Sequence, residues 1–342
     1  MQSKNIQVHQ AEKNSKKLLV ICGPTSTGKT SLALCLAKKF KGELVSADSR
    51  QVYKKIDIGT GKDIPHGFRF KESDIKVGDI STGFYENKDL RIWGYDLVDP
   101  GKTFSVQDYL TIIEKVIADI WKRKKLPVVV GGTGLYIKGI VDGIPTSFIP
   151  RDNKLRSQIS GETADELFKM LIGINKKRAE RMNDSDRKNP RRLIRAIEIE
   201  KSKSIEKKKC LPLTDEVLMI GLKAPREYIL EKIKKRVKKR IKTGLVCEIC
   251  KLLKLLSWDS QSMTSLGIRQ WKPYFEGSKN YELIINDWIK QEFQYAKRQM
   301  TWFRKETYSK GAKRIIWFDI SKRNWLAGVE KEVKKWYKVK TP

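Results

Sequence analysis

The feature that most constrains this 342-residue chain is a glycine-rich loop near its start. The loop fits the pattern Gly-x-x-x-x-Gly-Lys-Ser/Thr, and its residues are Gly23, Pro24, Thr25, Ser26, Thr27, Gly28, Lys29 and Thr30. The apolar run Leu18–Cys22 precedes it as a buried strand would, and helix-forming residues from Ser31 to Lys39 follow it. A strand, a glycine loop and a helix in this order form a phosphate site, because the loop amides turn toward the anion. We therefore predict that all eight loop residues bind a diphosphate or a polyphosphate, with Lys29 adding positive charge and Thr30 holding Mg²⁺.

Five short apolar runs predict a parallel β-sheet. The runs are Leu18–Cys22, Glu43–Ala47, Leu126–Val130, Val217–Gly221 and Arg314–Phe318. Segments with helical periodicity separate them, which is typical of a doubly wound α/β fold. We predict a P-loop NTPase-like parallel sheet that is flanked by helices and carries a helical insertion domain.

The chain changes character after residue 143. Residues 144–209 contain no strand-like run, and charged helical patterns occur at Ala164–Leu171 and Pro190–Ile199. We predict that residues 1–16 are a disordered basic tail and that 17–143 and 210–342 are the two parts of the core. Residues 144–209 are then the helical insertion domain.

The charge of the chain points to a polyanionic partner. Lys and Arg number 72 against 40 Asp and Glu, which gives a formal net charge of +32. Such an excess is typical of nucleic-acid binding, although a lysine-rich proteome by itself also produces solvated lysines. No stretch approaches the ~18 apolar residues of a membrane helix, and the polar start lacks the apolar core of a secretory signal. We expect a cytoplasmic protein that does not bind membranes.

The five cysteines do not indicate a disulfide framework in a chain of this size. Cys247 and Cys250 form a C-x-x-C pair, but the pair lies in a helical pattern and no partner has metal-ligand spacing. The sequence leaves the role of this pair open.

Polar residues follow two predicted strands at the edge where α/β proteins bind ligands. Asp48 comes just after the second strand, where its carboxylate would hold Mg²⁺, act as a base or cap a following helix. Gly131-Gly132-Thr133-Gly134 follows the strand Leu126–Val130, where a motor ATPase would have an acidic residue. Glycines there predict that the backbone or Thr133 closely approaches a ligand or another segment. A second glycine-and-lysine loop, Asp57–Asp63, is equally typical of a plain turn.

Five motifs in this order and spacing resemble the tRNA dimethylallyltransferase family, also called tRNA isopentenyltransferases. They are Gly-Pro-Thr-x-x-Gly-Lys-Thr, Ser-Ala-Asp-Ser-x-Gln-Val-Tyr, Asp-Ile-Gly-Thr-Gly-Lys, Gly-Gly-Thr-Gly-Leu-Tyr and the segment from Tyr295 to Arg304. The resemblance covers most of the chain and is to the bacterial type, which lacks a C-terminal zinc finger. It implies transfer of a dimethylallyl group from dimethylallyl diphosphate to N6 of the adenosine directly 3′ of the anticodon in tRNA, with release of diphosphate.

The resemblance also implies roles for individual residues. Asp48 matches the carboxylate that takes or holds the proton of the attacking amine, and Arg236 matches an arginine that stabilises the leaving diphosphate together with Thr30 and Mg²⁺. The residues that match tRNA-contacting positions are Asp48, Ser49, Arg50, Gln51, Thr133, Arg191, Arg192, Arg195, Gly267, Arg269, Lys297, Arg298 and Gln299. The partners implied are the tRNA anticodon stem-loop and dimethylallyl diphosphate, bound by a monomer.

The chain departs from the family pattern at two places. Ile268 follows Gly267 where a tyrosine is usual, and Glu292-Phe293-Gln294 precedes Tyr295 where a Thr-Arg pair is usual. Three alternatives use the same loop: a small-molecule P-loop kinase, an isopentenyltransferase that acts on free adenine nucleotides, and a non-catalytic RNA-binding module. The kinase leaves the net charge unexplained, and the free-nucleotide enzyme needs no RNA-binding insertion. An intact set of Lys29, Thr30 and Asp48 disfavours the non-catalytic module.

Overall fold

The computed structural model of the protein describes residues 16–202, 213–214, 216–305 and 315–337. Nearly all of the predicted basic tail and Cys210 lie outside these residues. The chain divides into two compact units, one formed by Met1–Asp142 with Pro212–Pro342 and the other by Gly143–Leu211.

Eight strands in the described part of the chain form one sheet. In chain order they are β1 (Leu18–Cys22), β2 (Gly42–Ser46), β3 (Arg69–Val77), β4 (Ile80–Glu86), β5 (Arg91–Trp93), β6 (Leu126–Val130), β7 (Val217–Lys223) and β8 (Ile315–Asp319). Their order across the sheet is β3-β4-β5-β2-β6-β1-β7-β8. Every neighbouring pair from β5 to β8 is parallel, which confirms the predicted α/β fold.

The sequence analysis missed β3, β4 and β5, which extend the sheet. Strand β4 pairs in antiparallel orientation with both β3 and β5. Most residues of β3 are exposed, and five of its nine residues are charged, so the strand lacks the apolar pattern of a buried one. Charges on such an edge strand discourage pairing with another chain.

Thirteen α-helices occur in the described residues. They are α1 (Lys29–Lys39), α2 (Val106–Lys122), α3 (Gly134–Val141), α4 (Asn153–Gln158), α5 (Ala164–Ile174), α6 (Lys176–Glu180), α7 (Asp184–Arg187), α8 (Pro190–Lys201), α9 (Arg226–Lys242), α10 (Leu245–Leu253), α11 (Lys272–Phe275), α12 (Tyr281–Lys305) and α13 (Trp325–Trp336). None of the helices in these residues is long and apolar enough to cross a membrane.

Alternate side chains of each buried strand point to opposite faces of the sheet. Helices pack on both faces and bury these apolar side chains. On one face, Leu36 of α1 and Val329 of α13 share a core with Ile21 of β1. Helix α2 packs against β2 and β6, and it begins at a capping box formed by Ser105 and Asp108. The parallel pairing of β6 with both β1 and β2 places the carboxyl ends of these three strands next to one another.

The second unit is helical and has a small core of its own. Helices α4, α5, α6 and α8, with the residue that ends α4, bury a shared set of side chains, which are Leu155, Ile159, Leu167, Leu171, Ala179, Leu193, Ala196 and Ile197. Polar side chains cap these helices, as where Thr163 and Glu166 form a capping box at the start of α5. The helical insertion that the sequence predicted is therefore present.

Candidate active site

The glycine loop between β1 and α1 closes on itself. The Thr27 hydroxyl donates a hydrogen bond to the Pro24 carbonyl at 2.8 Å, and Lys29 Nζ donates to the same oxygen at 2.6 Å. Gly28 precedes α1 with φ at +76°, a conformation that favours glycine. No side chain caps the start of α1, so its first amides remain available to an anion.

Lys29 shares its electrostatic environment with two other residues that the sequence singled out. Burial and the positive charge of Arg236 lower the pKa of Lys29 to about 8, and the negative charge of Asp48 opposes this shift. An anion bound by the loop would stabilise the charged form of Lys29. Lys29 and Arg236 both bond to residues of the glycine loop, and the Asp48 carboxylate is near enough to act on Lys29, although the three residues come from separate parts of the sequence.

Arg236 points from α9 toward the loop. Its Nη1 donates to the Thr25 hydroxyl at 3.0 Å, and its Nη2 donates to the Gly61 carbonyl at 3.2 Å and to the Asp63 carboxylate at 3.1 Å. These bonds hold a guanidinium beside the loop that is predicted to hold diphosphate. Its role in catalysis stays a prediction.

Asp48 follows β2 and is half-buried. Its Oδ1 accepts a hydrogen bond from the Arg50 amide at 2.9 Å, and turns rather than a helix follow it, so the helix-cap alternative is wrong. The Ser49 amide donates to Thr133 Oγ1 at 3.1 Å. Tyr295 of α12 lies near the same threonine, and burial and the negative charge of Asp48 raise the pKa of Tyr295. Asp48 is therefore bordered by the ends of β2 and β6 and by α12.

The glycines after β6 allow another segment to approach closely, as predicted. A Cβ on Gly132 would collide with the side chain of Gln299, and a Cβ on Gly134 would collide with Trp302. The Gln299 amide group donates to the Gly132 carbonyl at 3.0 Å and accepts a hydrogen bond from the Thr25 amide at 2.8 Å. Gln299 is only 5% exposed, so this residue braces the glycine loop from inside the protein.

The lysine of the second loop, Asp57–Asp63, is buried and hydrogen-bonded within the protein. Lys62 Nζ donates to the Tyr53 carbonyl at 2.8 Å and to the carboxylates of Asp57 at 2.5 Å and Asp96 at 2.6 Å. Its side chain is fully buried. The lysine is therefore saturated by partners within the protein.

Glu248 of α10 holds the same loop from the other side. Its carboxylate accepts hydrogen bonds from the amides of Asp57 and Ile58 at 2.9 Å and of Gly59 at 2.8 Å. Sequence analysis gave Glu248 no role, because only the fold brings α10 to this loop. Cys247 and Cys250, on either side of it, are exposed free thiols.

The remaining residues predicted to contact tRNA in the first unit differ in burial and in their partners. Gln51 is 9% exposed and donates to the Gly61 carbonyl at 2.9 Å, and Arg50 Nη1 donates to the Gln261 carbonyl at 2.8 Å. Arg269 donates to the side chain of Gln291, and Gly267 is buried. On α12, Lys297 lies 4.9 Å from the Phe293 ring centroid and Arg298 lies 5.8 Å from that of Tyr295.

The three arginines predicted in the second unit are not equivalent. Arg191 and Arg192 are exposed on α8, where Arg192 pairs with Asp186. Arg195 turns inward and bonds to Glu198 at 3.0 Å and to the carbonyls of Thr146 and Ile149 at 2.8 and 2.7 Å. Its guanidinium therefore stabilises the unit itself, whereas Arg191 and Arg192 face solvent.

The side chains present fit a Mg²⁺ ion that is held mainly by phosphate. In the part of the chain that the structure describes, no group of three or more His, Cys, Asp or Glu side chains is placed to hold a metal ion. Thr30 lies in the first turn of α1, beside the open amides. Mg²⁺ typically takes one or two protein ligands and completes its shell with phosphate oxygens and water. A hydroxyl at this position fits that pattern.

Sequence comparisons find related proteins over nearly the whole chain. A family model described as IPP transferase matches residues 70–306, and one described as Isopentenyl transferase matches residues 16–76. A tRNA dimethylallyltransferase of Anoxybacillus flavithermus is 33% identical over 311 residues, which are 90% of this chain and 91% of the relative. A second such relative, tRNA dimethylallyltransferase 2 of Treponema denticola, is 35% identical and covers 87% of this chain and 94% of its own.

Solved structures resemble this chain over a similar length. The crystal structure of the full-length tRNA isopentenylpyrophosphate transferase from Bacillus halodurans has a TM-score of 0.63 and 28% identity, and covers 94% of this chain and 97% of its own. A eukaryotic dimethylallyltransferase, seen in crystallographic snapshots of its action on tRNA, has a TM-score of 0.72 over 93% of this chain and 78% of its own. It is 23% identical, so that second likeness shows a shared fold.

Proposed function

The chain belongs to the IPP transferase family, and we propose that it transfers a dimethylallyl group from dimethylallyl diphosphate to tRNA. The acceptor is N6 of the adenosine directly 3′ of the anticodon, and diphosphate is released. One observation carries the proposal: Arg236 and Lys29 both donate hydrogen bonds to the glycine loop, at Thr25 and Pro24, and the Asp48 carboxylate acts on Lys29 from the end of β2. A positive cradle beside a carboxylate is what an alkyl transfer with an anionic leaving group requires.

The donor diphosphate would lie in the glycine loop. The open amides at the start of α1, Lys29 and Arg236 would stabilise the negative charge that grows on the leaving oxygen. A Mg²⁺ ion held by Thr30 and the diphosphate would supply further charge stabilisation. Gln299 supports this arrangement, since it fixes the Thr25 amide and the Gly132 carbonyl in place.

The acceptor amine would lie between the donor and Asp48. In the transfer, the N6 nitrogen forms a bond to the first carbon of the dimethylallyl group while the bond from that carbon to the diphosphate oxygen breaks. The amine proton passes to the Asp48 carboxylate, and the electron pair of the broken bond leaves with diphosphate. To reach this site, the adenine has to leave the base stack of the anticodon loop.

Basic side chains on exposed surfaces would bind the RNA. Lys297 and Arg298 lie on α12, two and three residues after the Tyr295 that borders Asp48. Arg191 and Arg192 are exposed on α8, and the net charge of +32 favours a polyanion. We propose that these groups bind the backbone of the anticodon stem-loop and that the protein works in the cytoplasm. A monomer suffices, because one chain supplies every residue named for both substrates.

A transfer assay tests the function directly. The protein is incubated with labelled dimethylallyl diphosphate and, in separate reactions, with an unmodified tRNA, with AMP or with ATP alone. We expect label in tRNA, and Asp48→Asn should lower turnover by roughly 10²- to 10⁴-fold, the usual range for a lost acid–base group, with little change in tRNA affinity. Asp99→Asn, a change at an exposed acid, is the matched control.

Two outcomes would contradict the proposal. Label that enters AMP but not tRNA would favour the free-nucleotide enzyme. ATP turnover without prenyl transfer would favour the kinase.

A further inference from the structure

A second arginine, Arg240, lies one helical turn beyond Arg236 on α9. Residues four apart on a helix lie on the same face, and both arginines point to the loop Asp57–Asp63. Arg240 is 7% exposed, so its guanidinium is buried rather than solvated. A buried arginine normally has a complete set of partners.

Arg240 lacks such a set. Its Nη1 lies 3.4 Å from Glu292 Oε1, and Trp288 Nε1 donates to the same oxygen at 3.3 Å. Both distances are long for hydrogen bonds, and one oxygen serves two donors. Among the residues that the structure describes, the buried Nε of Arg240 has no hydrogen-bond partner.

The two guanidinium groups of α9 meet over Gly61. A Cβ on Gly61 would collide with a terminal nitrogen of Arg236 and with one of Arg240, so both nitrogens border the same small space. Burial and the positive charge of Arg236 lower the pKa of Arg240 to about 10. Arg236 is partly exposed and pairs with Asp63, whereas Arg240 is buried, so an anion that joined the two guanidinium groups would relieve their repulsion.

We propose that Arg240 is a second arginine for the donor diphosphate, and that Glu292 holds it until the diphosphate binds. This inference rests on the proposed function. A guanidinium uses Nε and a terminal nitrogen to bind two phosphate oxygens at once, which would satisfy the nitrogen that is now unpaired. The anion is the diphosphate rather than an RNA phosphate, because the neighbouring Arg236 bonds to Thr25 of the glycine loop.

The proposal explains one departure from the family pattern. Glu292 lies in the segment that replaces the usual Thr-Arg pair, and a buried carboxylate there would be costly without a cation. Arg240 supplies that cation across two helices that pack on each other, α9 and α12.

Binding of inorganic diphosphate with Mg²⁺, measured by calorimetry on the full chain, tests the proposal. Glu292→Gln keeps an acceptor for Trp288 and removes the charge that competes for Arg240, so it should bind diphosphate several-fold more tightly. Arg240→Met combined with Glu292→Gln avoids an unpaired buried carboxylate and should bind about tenfold more weakly than Glu292→Gln, the size of one charge-assisted hydrogen bond. Lys239→Met, a change at an exposed lysine on the same helix, is the control and should bind as the wild type does.

A purely structural ion pair gives a different result. In that case Glu292→Gln would change only the thermal midpoint, and the double variant would bind diphosphate as tightly as Glu292→Gln does. Loss of affinity for an anticodon stem-loop with diphosphate binding intact would assign Arg240 to RNA and overturn the proposal. The assay needs no prenyl transfer. Diphosphate binding with these variant effects but without prenyl transfer to tRNA would therefore refute the proposed function alone.

Discussion

Two loops of this protein have similar residues, but their lysines have different partners. Gly23–Thr30 and Asp57–Asp63 each contain two glycines and a lysine that follows the second glycine. Lys29 bonds to a backbone carbonyl of its own loop, and burial together with the Arg236 charge lowers its pKa to about 8. Lys62 has two carboxylates and a carbonyl around its ammonium group.

The difference shows how a fold separates a ligand site from a structural anchor. A buried charge that the protein neutralises stabilises the fold and has nothing left to offer a ligand. A buried charge that the protein leaves uncompensated costs stability, and an anion from outside recovers that cost. Lysine and glycine at similar spacing in the sequence do not distinguish the two cases.

The largest effect should come from the compensated lysine. Lys62→Met leaves the Asp96 carboxylate buried without its cation, which should lower the free energy of unfolding by about 3–5 kcal/mol. Denaturant unfolding measures this change. Adding Asp96→Asn to Lys62→Met should recover part of the lost stability. An unchanged unfolding midpoint in Lys62→Met would contradict the claim that Lys62 stabilises the fold.

The uncompensated lysine should show the opposite pattern. Lys29→Met should lower the rate of prenyl transfer by roughly 10²- to 10³-fold, the range for one lost electrostatic stabiliser of a transition state. Its unfolding midpoint should stay the same or rise, because burial and the Arg236 charge disfavour the charged form of Lys29 in the folded protein. Lys38→Met, a change at an exposed lysine of the same helix, is the control for both measurements.

An exposed lysine should give the smallest effect. Lys297→Ala should weaken tRNA binding several-fold and reduce the salt dependence of binding by about one ion, because one phosphate contact is lost. Filter binding at several salt concentrations measures this. Lys290→Ala, a change on the same helix outside the proposed contact segment, should have little effect, and equal losses in the two variants would indicate non-specific attraction.

Much of the core was predictable because its signals are local. Strands β1 and β6 have the predicted bounds, since a fully buried parallel strand is a short apolar run. The close approach at Gly132 was predictable because glycine after a buried strand leaves room for a neighbour. The hairpin of β3 and β4 was not predicted, because an exposed, charged edge strand has no apolar periodicity.

The partners of individual side chains were harder to predict. Gln299 matched a tRNA-contacting position, yet its amide is occupied by Thr25 and Gly132. Arg195 matched another such position, yet Glu198 and two carbonyls hold it within the second unit. Arg240 was missed altogether, although its spacing of four from Arg236 places both on one helix face. Which side chains meet depends on how distant helices pack, and no local pattern contains that information.

The sequence by itself determined the glycine loop, five of the parallel strands of the sheet, and the family to which the chain belongs. Those features depend on neighbouring residues in the chain, whose periodicity and conformational preferences act over a few positions. The tertiary structure alone decided which charges are neutralised, leaving Lys29 open to an anion while Lys62 is enclosed. The physical reason is that neutralisation depends on distance in space, and the carboxylate of Asp96 reaches Lys62 only because the chain between them folds back.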